Sequence, residues 1–125
     1  MAHEGVYVLL IEYAARCGKS VSADTQVEAW ANQAIIGAEA VINCVCRVQF
    51  ATTAAAFAAL PAAGRELLME TASCLAAVTA IIYDMSLFTS RVEAEDMINV
   101  LRDAALRNLA ILRDKKVQRF IITGA

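Results

Sequence analysis

This 125-residue chain has one histidine, one proline, five glycines and only eight aromatic side chains. Each shortage excludes something. The single imidazole, His3, stands at the N-terminus, so no Ser/His/Asp or Cys/His set can be assembled without a terminal residue. The scarcity of aromatic residues beside abundant Ala disfavours a sandwich or barrel and favours close-packed helices. A formal charge of −2 gives no general attraction to nucleic acid. The four cysteines show no metal-ligand spacing: Cys44 and Cys46, two apart on a helix, diverge by about 200°. They read as small buried residues of a reduced cytoplasm. No cofactor or metal ion is expected.

A long unbroken apolar run is also missing. The longest uncharged stretch, residues 48–64, is mostly Ala and Thr and contains Pro61, and the greasiest, residues 71–83, falls short of the roughly 20 needed to span a bilayer. Met1-Ala-His-Glu-Gly5 is not the basic-then-apolar opening of a signal peptide. No membrane partner is expected. Gly18-Lys19-Ser20 resembles the end of a phosphate-binding loop, but that pattern needs a glycine where Tyr13 stands, so an exposed turn is the better reading.

What is present is helical. Residues 65–83, RELLMETASCLAAVTAIIY, are apolar over most of a helix circumference, with Glu66, Glu70, Ser73 and Ala77 on one narrow line. A helix of that kind must be surrounded, so it is the central buried element. Pro61 stands just before it, where a chain can enter a helix. An earlier helix starts at Asp24 and runs to about Cys46. Its apolar face is Val27, Ala31, Ala34, Ile35, Ala38, Ile42 and Val45, opposed by Glu28, Asn32, Glu39 and Asn43, with Trp30 anchoring the core edge. Residues 5–15 fit a strand or a short helix equally. Residues 49–61 fit either one helical turn after Thr52 or Thr53 or a surface packed closely on a neighbour.

Ser90-Arg-Val-Glu93 fits a capping box, and Ala94, Ile98, Leu101, Ala105, Leu109 and Leu112 recur at helical steps up to Asp114. Asn108 falls within that apolar arc, and Asp103–Arg107 is an i, i+4 pair. The placed carboxylates lie on polar faces instead of converging in an apolar cleft, which does not suit an enzyme.

The expected fold is all-α: a small helical bundle around a central buried helix in residues 1–114, with an extended C-terminal tail, residues 115–125. That tail is the expected partner-binding site. Lys115, Lys116 and Arg119 supply positive charge, and Phe120, Ile121 and Ile122 supply apolar anchors for a sheet edge or groove on a neighbour. A frayed terminus is the alternative.

The segments DTQVEAWANQAIIGAEAVINCVCRVQF and ELLMETASCLAAVTAIIYDMSLFTSRVEAEDMINVLRDAALRNLAILRD resemble the small head–tail connector (adaptor) proteins of tailed bacteriophages. The features that carry the resemblance are the Asp24-x-x-Val27 helix start, Ser73-Cys-Leu-Ala-Ala77, Tyr83-Asp84-Met85 and Thr89-Ser-Arg-Val-Glu-Ala94, within residues 24–114. The resemblance implies a non-enzymatic virion protein of the neck, made in the host cytoplasm. It would form a homo-oligomeric ring of about twelve copies, closed by head-to-tail contacts beneath the portal protein. Such a ring extends the DNA channel, lets DNA pass without sequence-specific binding, and carries the next neck or tail protein. Another neck component, a stopper or tail-completion protein, is the alternative, and a membrane-active lysis protein a more distant one.

Overall fold

The computed structural model describes residues 5–18, 21, 23–83, 88 and 90–123. Six α-helices follow one another: α1 (Leu10–Cys17), α2 (Glu28–Cys46), α3 (Ala54–Ala58), α4 (Ala62–Tyr83), α5 (Arg91–Leu112) and α6 (Lys115–Thr123), with a 3-10 turn at Ala23–Gln26. No strand occurs among the described residues, so the all-α expectation holds. His3, Lys19, Ser20, Asp84, Met85 and Thr89, which carried parts of the sequence reading, lie outside the described residues.

The central helix is α4, which packs against α1, α2, α5 and α6. Its small residues Ala72, Ser73, Ala76, Ala77 and Ala80 are all buried and let neighbouring helices approach closely. The buried hydroxyls are satisfied within the helix: Thr71 Oγ1 donates to the Leu67 carbonyl (2.7 Å) and Ser73 Oγ to that of Glu70 (3.1 Å). By length and composition α4 could cross a bilayer; here four helices pack against it and half of its most apolar window is buried. The line Glu66–Glu70–Ser73–Ala77 faces outward only at its start; Ser73 and Ala77 are in the core, and the outer side of the second half is Thr79, Ile82 and Tyr83.

Pro61 directly precedes α4, and Arg65 Nε donates to the Leu60 carbonyl (3.0 Å), which fixes the corner between α3 and α4. Thr53 caps α3 by accepting the Ala56 N–H at 3.1 Å. Ser90 caps α5 by accepting the Glu93 N–H at 3.1 Å, one half of the expected capping box; the Glu93 side chain makes no return bond to Ser90. Ala94, Ala105, Leu109 and Leu112 are buried and Ile98 and Leu101 half-buried, so the α5 stripe is the core face. The ion pair on α5 is Arg91–Glu95 (2.9 Å), in place of the expected Asp103–Arg107.

Three expectations are corrected. The second helix starts at Glu28 after the 3-10 turn, with no side-chain cap, in place of a start at Asp24. Asn32 and Glu39, assigned to its outer face, are buried. The Glu39 carboxylate accepts N–H bonds from Val6 (3.0 and 3.1 Å) and Tyr7 (2.8 Å) and so holds residues 5–9 against α2. Tyr7 completes the clasp: its hydroxyl donates to Asn43 Oδ1 (2.7 Å), accepts the Phe50 N–H (3.3 Å), and its ring packs on Phe57. Finally, the C-terminal segment is not extended, because its inward residues find a partner surface within the chain.

Candidate interaction surfaces

The six residues expected to bind a partner all lie on α6. Val117 and Gln118, with Ile121 one helical turn later, turn inward. Ile121 is 1% exposed, and its side chain lies directly over Gly64 at the start of α4. Gln118 Nε2 donates to the Leu112 carbonyl (2.8 Å) and the Cys46 carbonyl (3.2 Å), tying α6 to the ends of α5 and α2. Lys115 Nζ approaches the same Cys46 carbonyl (3.5 Å) and Gln118 Oε1 (3.3 Å). Ile121 therefore serves the fold. Lys115, Lys116, Arg119, Phe120 (42% exposed) and Ile122 (47% exposed) remain on the outside.

This end of the molecule is basic. Arg47, Arg113 and Lys115 line one polar cavity of about 250 Å³ where α2 ends, and Lys116 and Arg119 follow on α6. Asp114, which accepts the Lys116 N–H (2.9 Å), sets one negative charge among these positive ones. Burial pushes the Cys46 thiol up, while the nearby Lys115 and Arg113 charges pull it partly back.

The sequence reading missed a second surface. The outward arc of α2 is Ala29, Gln33, Ile36, Gly37, Ala40, Val41 and Cys44, which carries no charge. It borders α4 in a shallow groove of about 270 Å³ lined by Gln33, Gly37, Val41, Leu75 and Thr79. Beyond Leu75 the outer side of α4 continues with Ile82 and Tyr83, and Tyr83 stacks edge-on against Trp30 at 5.2 Å. A sequence signal existed: between Ala29 and Cys46 the only charged residue is Glu39, so its burial leaves an uncharged outer face.

A third surface lies at the start of α5. A groove of about 530 Å³ runs along Val92, Met97, Val100 and Leu101 and is rimmed by Ser90, Glu93 and Asp96. Val92 and Val100 are largely exposed.

Titratable chemistry is sparse. Burial pushes the Cys17 and Cys74 thiols up as well, so neither is a ready thiolate near neutral pH. Among the described residues no group of three His, Cys, Asp or Glu side chains converges as a metal site. Compared with known proteins, the chain matches no family model, no curated protein and no solved structure.

Proposed function

We propose that this chain is a structural assembly protein, a small head–tail connector (adaptor) of tailed bacteriophages, and not an enzyme. It would sit in the virion neck as a homo-oligomeric ring of about twelve copies beneath the portal protein, with rotational symmetry matching that neighbour. DNA would pass through without being read, and a neck or tail protein would sit below. The observation that carries this reading is the uncharged face of α2 and α4. Exposed Ile36, Val41, Ile82 and Tyr83 form an apolar surface on two long helices, the kind of surface that assembly covers. A stopper or tail-completion protein would use such a face in the same way.

Placing lysines at both Ile36 and Val41 tests it. Both positions are exposed, so the variant should fold and melt as the parent does. It should fail to enter tailed particles, leaving heads without tails; normal incorporation would refute the reading. The length and apolarity of α4 favour a membrane-active lysis protein as the other reading. Dye release from lipid vesicles by the purified protein would support that one and count against the connector.

A further inference from the structure

We propose that α6 of one copy docks in the groove at the start of α5 of the next copy, making a head-to-tail contact between copies of this chain. The inference rests on the assembly reading and names the surfaces that would close the ring. The two faces are complementary in charge and in apolarity. On the groove, Val92, Met97 and Val100 provide an apolar floor, and the Glu93 and Asp96 carboxylates have no ion-pair partner among the described residues. Glu95 beside them is already held by Arg91. On α6, the exposed Phe120 ring lies one turn from Lys116 and beside Arg119, whose charged groups also have no ion-pair partner among the described residues; Ile122, two residues on, points to the other flank of the helix. The groove thus pairs an apolar floor with unpaired negative charge, and α6 offers one aromatic side chain beside two unpaired positive charges, a match in sign and in apolar contact.

A chain cannot satisfy itself this way. Met97 and Leu112, the last residue of α5, are 15 residues apart (112 − 97), or about 22 Å at 1.5 Å per residue. α6 is held at the far end by Ile121 on Gly64 and by Gln118 on the Leu112 carbonyl. Because helix and groove are different surfaces of the chain, the contact is heterologous, and it forms a ring where the rotation between successive copies closes. A nine-residue helix covers less than the roughly 800 Å² per partner of a typical stable interface. Single contacts are therefore weak, and ring closure makes them cumulative.

Disulfide trapping between full-length chains tests the contact. All chains carry Cys44→Ser, which removes the exposed native thiol. One partner carries Phe120→Cys and the other Val100→Cys, both at exposed positions, with circular dichroism checking that each folds. Mild oxidation of the mixture should give the mixed dimer about tenfold faster than a control pairing Phe120→Cys with Ala58→Cys on exposed α3. Adding Arg119→Glu should abolish that advantage, and adding Asp96→Arg to the partner should restore it. Trapping no faster than the control, or unaffected by the charge changes, would overturn the proposal. The connector reading would then stand or fall separately, on whether the α2 variant enters particles.

Discussion

Gly64→Ala decides whether the C-terminal segment is the docked helix described above. Gly64 is the third residue of α4, and replacing a helical glycine by alanine ordinarily stabilises by about 0.5–1 kcal/mol. Here the added Cβ would meet Ile121 Cγ2 at 2.9 Å, Cγ1 at 3.1 Å and Cβ at 3.3 Å. A rotamer change moves the two γ-carbons but not Cβ, which follows the α6 backbone, so relief requires α6 to shift. Overpacking of this kind costs about 1–3 kcal/mol, which outweighs the propensity gain. The expected net effect is a loss of about 1 kcal/mol in urea unfolding, with faster hydrogen exchange at Gln118 and Ile121. Ile121→Ala alone should cost about 2–4 kcal/mol by leaving a void. Combined with Gly64→Ala, it should cost at least about 0.5 kcal/mol less than the sum, because the two closest colliding atoms, Cγ1 and Cγ2, are gone and only Cβ remains. Stabilisation by Gly64→Ala, with no coupling to Ile121, would show that α6 does not rest on Gly64.

Three further outcomes follow from the core. Glu39→Gln leaves one acceptor oxygen for the Val6 and Tyr7 N–H groups and turns an NH₂ toward them, so stability should fall by about 1–3 kcal/mol in denaturant titration; no change would mean that residues 5–9 are not clasped. Asn108 is buried with its Nδ2 unpartnered, so Asn108→Leu should be neutral or raise Tm, and a large loss would reveal a missing hydrogen-bond partner. Burial raises the pKa of Tyr7, Tyr13, Cys17, Cys46 and Cys74, so their contribution is complete below the ordinary values of 9.0 and 10.0 and is lost as pH rises through and beyond them. Tm should drop steeply in that alkaline window, and less steeply for Tyr13→Phe; a flat profile would contradict the burial.

The parts of the fold legible in the sequence are those fixed by neighbours along the chain. Ser90 and the Ala94-to-Leu112 spacing define α5 almost to the residue, and all-round apolarity marks α4 as central. The errors come from long-range partners. Glu39 looked like a solvent-facing carboxylate because the amides it binds lie 32 and 33 residues earlier. Ser73, a polar residue on the line with Glu66 and Glu70, is buried at little cost because its hydroxyl bonds to its own helix. The C-terminal Phe120-Ile121-Ile122 run reads as extended from its β-branched residues; helix α6 forms on a surface supplied by Gly64, Leu112 and Cys46. The same distinction divides the central helix's apolar residues. Ile81 is fully buried, whereas Leu75 borders the outer groove, so Ile81→Asp should unfold the chain and Leu75→Asp should be milder.

The most direct test of the assembly account is the mass and shape of the purified protein, alone and mixed with a portal protein, by light scattering and electron microscopy. The account predicts closed rings of one size, formed freely or on the portal, with copies related by rotation about the channel axis. A single 13.4 kDa chain under every condition, or copies bound off the axis, would contradict it.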